Sequence, residues 1–127
     1  MKIKELKNLL GDFGESVKFE HDLRKKNWFN IGGKSKVFFK ANNLKELIKF
    51  LKKLNNKEKI FILGAGSNTL ISDNFIDCVV IKLSKNFSNI SLLGEDIIIA
   101  GGAVLDKALS DFAMKNNLSG FEFLSCI

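Results

Sequence analysis

The residues best suited to chemistry lie in one short segment, Leu63-Gly64-Ala65-Gly66-Ser67-Asn68-Thr69. Gly64 and Gly66 lack a Cβ atom, so the backbone there can adopt unusual conformations and approach a ligand closely. Consecutive N–H groups in such a turn form a concave nest that binds anions. Ser67 and Thr69 add hydroxyls, and Asn68 adds an amide. The segment therefore predicts a site for a phosphate or diphosphate, although a tight turn without a ligand would use the same residue types.

Two common phosphate-binding motifs do not fit this segment. No lysine follows the glycines, so the segment is not a Walker A loop. Thr69 stands where the dinucleotide fingerprint of a Rossmann fold has its third glycine. Ser84 stands about 20 residues further on, where that fingerprint has a carboxylate. The segment therefore indicates a different kind of nucleotide site.

The elements before this segment predict a strand–helix–strand unit. The continuous apolar run 60–63 is typical of a strand covered on both faces, as in a parallel sheet, and residues 36–40 predict the earlier strand. Between them, Asn43 is a good N-cap, and Glu46 completes a capping-box pattern. The predicted helix carries one apolar stripe, formed by Leu44, Leu47, Ile48, Leu51 and Leu54. Ligands of such units bind at the carboxyl ends of the strands.

The flanking sequence predicts two further helices and three further strands. Residues 3–10 have helical apolar spacing and end at Gly11. Residues 78–83 read as a buried strand, and residues 90–93 and 96–100 as a hairpin around Gly94-Glu95. A second amphipathic helix is predicted from Leu105 to Asn116.

Four blocks of the chain, in order, resemble the UDP-N-acetylenolpyruvoylglucosamine reductase family. The segment from Ile62 to Asp73 is similar to that family's Gly-x-Gly-Ser-Asn signature, and Asn27-Trp28-Phe29-Asn30-Ile31-Gly32-Gly33 to its Thr-Thr-Phe-Arg-Val-Gly-Gly-like segment. Ala100-Gly101-Gly102-Ala103 and the block 118–124 resemble its Ala-Gly-Ala and Leu-Ser-Gly-Leu-Glu-Phe blocks. Asn27 and Asn30 depart from the pattern, because Thr and Arg or Lys are usual there.

The resemblance implies an α+β fold, the FAD-binding domain of the vanillyl-alcohol-oxidase type. A βαβ-containing subdomain of about residues 1–85 would precede the start of a second, incomplete subdomain at 86–127. In that family the glycine–Ser–Asn loop holds the diphosphate of FAD. By this resemblance the cofactor-binding residues are predicted to be Gly64, Ala65, Gly66, Ser67, Asn68 and Thr69.

The resemblance also implies a reaction. The family uses NADPH and FAD to reduce the enolpyruvyl group of a UDP-sugar, UDP-N-acetylglucosamine enolpyruvate, for peptidoglycan synthesis. Its catalytic serine, arginine and glutamate would lie beyond Ile127. No catalytic residue is therefore assigned in this chain, which is expected to be inactive alone.

Composition limits the alternatives. The chain has 127 residues, 46% of them hydrophobic, and its apolar runs are too short for a membrane helix. The net charge of +6 is concentrated in residues 1–63. A solvated lysine-rich helix face explains this charge most simply, but the charge could also serve anionic nucleotides or nucleic acid. The nucleic-acid hypothesis lacks a stacking platform or a recognition helix, so no nucleic-acid partner is predicted. Another FAD-dependent oxidoreductase of the same fold, such as a 2-hydroxy-acid oxidase, and a non-catalytic nucleotide-binding module stay open.

The remaining reactive side chains favour structural roles. His21 has no Cys or His partner nearby in the sequence, so it is predicted to be a structural residue at the surface or half-buried. Two cysteines make no disulfide framework, which predicts a protein of the reducing cytoplasm. Cys78 is predicted to lie in the core, and Cys126 to be a packing residue near the flavin pocket. No metal is predicted, because Asp73 and Asp77 lack a completing ligand and suit turns. Trp28, which stands beside Phe29, is predicted to belong to the core rather than to stack on a flavin.

Overall fold

A computed structural model describes residues 1–126, and for Cys126 the backbone alone. The chain divides into two compact units, Met1–Leu83 and Ser84–Ile127. The predicted division near residue 85 lies close to this boundary. That these units are subdomains of a larger fold stays a prediction.

The first unit is a four-stranded mixed sheet with two helices. It contains α1 (Ile3–Leu10), β1 (Val17–Asp22), β2 (Lys34–Ala41), α2 (Leu44–Leu54), β3 (Ile60–Ile62) and β4 (Ile76–Leu83), with short 3₁₀ turns at Gly11–Ser16 and Arg24–Lys26. The strand order is β1-β2-β4-β3. β1 is antiparallel to β2, whereas β2, β4 and β3 run parallel. The predicted strand–helix–strand unit is therefore present, with β4 inserted between its two strands.

Successive side chains of β2 and β4 point to opposite faces of the sheet, so each face carries part of the core. Phe39 is fully buried, and its ring stacks on Phe50 of α2 with centroids 3.8 Å apart. On the opposite face, Phe38 and Val80 pack with Leu23, Leu63 and Ile71. These last three residues lie in the connections 23–33 and 63–75, which lack helices and strands except for the 3₁₀ turn Arg24–Lys26. Connecting segments rather than helices therefore cover this second face.

The start of α2 is as predicted, but its buried face is not. The Asn43 side chain accepts a 2.8 Å hydrogen bond from the Glu46 N–H, and the Glu46 carboxylate accepts one from the Asn42 N–H. The predicted leucine stripe is wrong in part, because Leu44, Ile48 and Leu51 are exposed. The helix is rotated so that Phe50 and Leu54 are buried, and the stacking of Phe50 on Phe39 explains this rotation.

The prediction that residues 60–63 form a strand covered on both faces is also wrong. β3 has only three residues, and Ile60, Phe61 and Ile62 are 40%, 44% and 61% exposed. The insertion of β4 places β3 at the edge of the described sheet, where its apolar residues have few neighbours. Leu63, by contrast, is buried.

The second unit contains the predicted hairpin and helix. β5 (Ile90–Leu93) and β6 (Ile97–Ala100) pair antiparallel around Gly94. α3 (Asp106–Lys115) follows, and a 3₁₀ turn spans Glu122–Cys126. In the part of the chain that the structure describes, no helix is both long enough and apolar enough to cross a membrane.

Candidate functional site: the glycine loop

The predicted anion-binding segment lies in the connection between β3 and β4. At the carboxyl end of β3, the Leu63 N–H donates a 2.9 Å hydrogen bond to the Ile81 carbonyl and so prolongs the sheet pairing. Because β3 and β4 are parallel neighbours, the chain must then return along the sheet to reach Ile76. We call residues 64–69, at the start of this return, the glycine loop.

Gly66 fixes the conformation of the glycine loop. Its φ is +81°, and a Cβ atom at this position would lie 2.3 Å from the Lys26 carbonyl oxygen. The Trp28 N–H donates a 2.9 Å hydrogen bond to the Gly66 carbonyl oxygen. Gly64, by contrast, has open space around the position of a Cβ atom. Only the second glycine is therefore required by the close contact with the segment 26–28.

The far end of the same connection is held by the Gly32-Gly33 pair. The Gly32 N–H donates a 3.0 Å hydrogen bond to Asp73 Oδ1, and the Gly33 N–H donates a 2.7 Å bond to the Ser72 carbonyl. A Cβ atom on Gly33 would lie 2.0 Å from the Asn74 carbonyl oxygen. Two of the four sequence blocks thus contact each other directly, and the connection 63–75 is anchored near both of its ends.

Asn27 stabilises the segment that holds Gly66. Its side chain is buried, and Nδ2 donates hydrogen bonds to the carbonyls of Leu23 at 3.1 Å and Ile31 at 2.7 Å. The Oδ1 atom is buried without a hydrogen-bond partner. Asn30 adopts a φ of +54°, a left-handed conformation that asparagine tolerates. Asn27 and Asn30, the two residues that depart from the family pattern, therefore both fit the geometry of this turn.

The backbone amides of the glycine loop are free within the described chain. Among residues 1–126, the N–H groups of Gly64 to Thr69 donate no hydrogen bond. Backbone donors without a protein acceptor are available to a ligand. The side chains of Ser67 and Asn68 are exposed, and Thr69 is half-buried. The arrangement fits an anion, and the diphosphate of FAD is an anion of that kind.

The sequence did not indicate that lysines lie near the glycine loop. The Lys82 ammonium donates a hydrogen bond to the Gly64 carbonyl oxygen. Burial lowers the pKa of Lys82, and the nearby Lys26 and Lys40 lower it further. Lys82 lies one residue before the end of β4, outside any glycine motif, so only the register of β4 against its neighbours could have revealed it.

The other residues singled out in the sequence differ in how far the structure buries them. Trp28 is 78% exposed, so the prediction that it belongs to the core is wrong for the unit that contains it, and the adjacent Phe29 is 52% exposed. The backbone of their turn is held by hydrogen bonds to Asn27 and Gly66. His21 is half-buried, with its ring 4.6 Å from that of Phe38. Cys78 is a buried free thiol, as predicted, whereas the Cys126 side chain lies outside the described part.

The two aspartates make local contacts. Asp73 accepts the Gly32 N–H, and Asp77 forms a 2.8 Å ion pair with Lys36. Among the described residues, no group of three or more His, Cys, Asp or Glu side chains is arranged to hold a metal ion. A shallow cleft of about 440 Å³ lies beside Asp22, Arg24 and the Gly32-Gly33 pair, and no glycine-loop residue lines it.

The class of protein follows from a comparison with family models. A model described as an FAD binding domain matches residues 35–127, which include the glycine loop, Lys82 and the whole second unit. This chain belongs to that FAD-binding domain family. FAD, the cofactor implied by the sequence, is therefore confirmed.

Curated relatives define the branch of the family more closely. The UDP-N-acetylenolpyruvoylglucosamine reductase of Pelagibacter ubique is 61% identical over 127 residues, which are 100% of this chain and 42% of that protein. The reductase of the same name from Rickettsia typhi is 42% identical over 107 residues, 84% of this chain and 36% of that protein. The resemblance found in the sequence is thereby confirmed. The chain spans less than half the length of these relatives.

Solved structures confirm the fold class. The UDP-N-acetylenolpyruvylglucosamine reductase of Thermus caldophilus matches with a TM-score of 0.62 and 24% identity, over 84% of this chain and 35% of that one. p-Cresol methylhydroxylase matches with a TM-score of 0.56 and 20% identity, over 91% of this chain and 24% of that one. The α+β architecture of the vanillyl-alcohol-oxidase type, predicted from the sequence, is therefore correct.

Proposed function

We propose that Gly64, Ala65, Gly66, Ser67, Asn68 and Thr69 bind the diphosphate of FAD. The observation that carries the proposal is the set of free N–H groups in a loop whose shape is fixed by Gly66. Backbone donors held rigidly by the fold lose little entropy when an anion binds. The Ser67 and Asn68 side chains, both exposed, add donors beside the amides. Ionised phosphate oxygens make stronger hydrogen bonds than neutral acceptors do.

A titration with FAD tests this proposal directly. The chain contains one tryptophan, Trp28. The Trp28 N–H donates a hydrogen bond to the Gly66 carbonyl oxygen, so this residue contacts the glycine loop. We expect FAD to quench Trp28 fluorescence in a saturable way and to raise the melting temperature of the chain. Inorganic pyrophosphate should compete with FAD. Saturable FAD binding that pyrophosphate cannot weaken would place the diphosphate elsewhere.

We further propose that the complete enzyme reduces UDP-N-acetylglucosamine enolpyruvate to UDP-N-acetylmuramate, with NADPH as the hydride donor, in cytoplasmic peptidoglycan synthesis. The 61% identity to the UDP-N-acetylenolpyruvoylglucosamine reductase of Pelagibacter ubique over the whole chain supports this proposal. Bound FAD would supply the hydride chemistry, whereas this chain's own residues bind and orient the cofactor. Gly66 and Asn27 keep the loop in its binding conformation, and the anchoring by Gly32 and Gly33 holds its far end.

A chimeric enzyme separates the two proposals. The aligned 42% of the Pelagibacter ubique reductase would be replaced by this chain. We expect a yellow protein that oxidises NADPH when UDP-N-acetylglucosamine enolpyruvate is added. A folded, yellow chimera that reduces no UDP-sugar would contradict the substrate proposal alone. A folded but colourless chimera, with FAD in excess, would contradict both.

A further inference from the structure

Lys40 and Lys82 are direct neighbours across two parallel strands. They are register partners in β2 and β4, so their side chains lie on the same face of the sheet, one residue before each strand ends. Like charges paired across adjacent strands destabilise a sheet. Lys26 lies near them, with Nζ 5.6 Å from the ring centroid of Phe38, which precedes Lys40 by two residues on that face.

These three lysines, Lys26, Lys40 and Lys82, form what we call the lysine cluster. Within residues 1–126, no carboxylate pairs with any of them, whereas Lys36, Lys49 and Lys53 all form ion pairs. Lys82 bonds instead to a neutral acceptor, the Gly64 carbonyl. Burial lowers the pKa of Lys82 first, and Lys26 and Lys40 lower it further. This direction is expected for a lysine whose charge no carboxylate compensates.

The lysine cluster lies where a ligand of this fold is expected. Lys40 and Lys82 lie at the carboxyl ends of β2 and β4, and the glycine loop leaves the carboxyl end of β3 beside them. An ammonium group has three N–H donors. Lys82 can therefore keep its bond to Gly64 and direct a second N–H to an anion on the loop. An anion there would relieve the repulsion within the cluster.

We propose that Lys82, flanked by Lys40 and Lys26, supplies the positive charge that neutralises the FAD diphosphate on the glycine loop. This inference rests on the proposed FAD site and assigns its electrostatic part to named side chains. It also gives Lys82 two opposite effects. The lysine costs stability in the free protein, because it is partly desolvated among like charges, and it favours the bound cofactor.

The test compares Lys82→Met with Lys82→Arg and Lys45→Met in the whole chain. Lys45 is an exposed lysine of α2, which packs on the opposite face of the sheet, so it controls for the loss of one charge. FAD is titrated by Trp28 fluorescence at two salt concentrations, and free-protein melting temperatures are measured with and without pyrophosphate. We expect Lys82→Met to weaken FAD binding about 10-fold, the cost of one charged hydrogen bond.

Further readouts distinguish a charge effect from a structural one. Lys82→Met should melt at or above the wild-type temperature without ligand, lose the stabilisation by pyrophosphate and show a smaller salt dependence of FAD binding. Lys82→Arg should retain most of the affinity, and Lys45→Met all of it.

Three results would overturn the inference. Unchanged FAD affinity in Lys82→Met would refute the role of Lys82 and leave the FAD site in place. A lower melting temperature of the free Lys82→Met protein would show that the lysine only supports the loop. If the wild-type chain binds neither FAD nor pyrophosphate, this inference and the proposed diphosphate site both fail.

Discussion

The Trp28 N–H donates a 2.9 Å hydrogen bond to the carbonyl oxygen of Gly66. This bond joins two segments that are 38 positions apart and that the sequence marks as separate motifs. It fixes one side of the glycine loop while the loop's own N–H groups stay free within residues 1–126. The free amides are therefore held in place by a contact that does not consume them.

Gly66→Ala should disrupt the loop, whereas Gly64→Ala should not. Alanine at a φ of +81° is strained, and its Cβ atom would overlap the Lys26 carbonyl, 2.3 Å away. Left-handed strain alone costs about 1–2 kcal/mol, so we expect Gly66→Ala to lower the free energy of unfolding by at least about 2 kcal/mol. Gly64→Ala has open space and should unfold like the wild type in urea. Equal stability of the two variants would contradict this role of Gly66.

Asn27→Ala should destabilise the turn that carries Trp28. The substitution removes both donors to the Leu23 and Ile31 carbonyls from a buried site. Leaving buried acceptors unpaired costs about 1–3 kcal/mol, and FAD affinity should fall because the support of Gly66 is loosened. The control is Asn68→Ala, at an exposed residue. It should weaken FAD binding with less than about 0.5 kcal/mol change in stability. A stable Asn27→Ala protein would show that the bond from Trp28 suffices.

Local features of the fold were predictable because short-range rules determine them. Asn43 caps α2 through a bond to a residue three positions away, and the glycine loop follows from residue types that suit one tight, anion-binding turn. The hairpin around Gly94 has the same local character. Such features depend on neighbours in the chain, so residue order alone indicates them.

Features that depend on strand order were not predictable in the same way. The insertion of β4 beside β2 exposes β3 and pairs Lys40 with Lys82. No periodicity in either strand encodes that neighbour. Trp28 is exposed for a related reason, since its backbone is fixed by Asn27 and Gly66 and not by burial of its ring. An apolar residue indicates burial only where the surrounding chain can cover it.

Glu58→Gln should be far more destabilising than Asp77→Asn, although both carboxylates contact Lys36. Glu58 and Lys36 have side chains only 4% and 10% exposed and lie 3.0 Å apart, whereas the side chain of Asp77 is 75% exposed. Glu58 also accepts a 2.6 Å contact from the Met1 ammonium. Breaking a buried pair costs about 3–5 kcal/mol, and an exposed pair contributes less than about 1 kcal/mol. Urea unfolding at neutral pH measures both. Similar losses would mean that Glu58 is not the dominant partner.

His21 should make the chain less stable as the pH falls below neutrality. Burial lowers the pKa of His21, and Lys26 and Lys18 lower it further, with only Asp22 opposing them. The folded pKa therefore lies below the unfolded value of about 6.5. Between these two values the unfolded chain binds more protons than the folded chain does. Stability is consequently greatest above the unfolded pKa and is lost as the pH falls toward the folded one.

The variant His21→Phe isolates this contribution, because the chain contains no other histidine. Phenylalanine keeps a ring against Phe38, which lies 4.6 Å from the imidazole, and it removes the buried Nε2 atom that lacks a partner. Urea midpoints measured from pH 7.5 to about 5 should fall in the wild type and stay flatter in the variant. That range lies above the ordinary pKa values of carboxylates. Parallel curves would show that the imidazole takes up its proton equally well in both states, in conflict with its packing on Phe38.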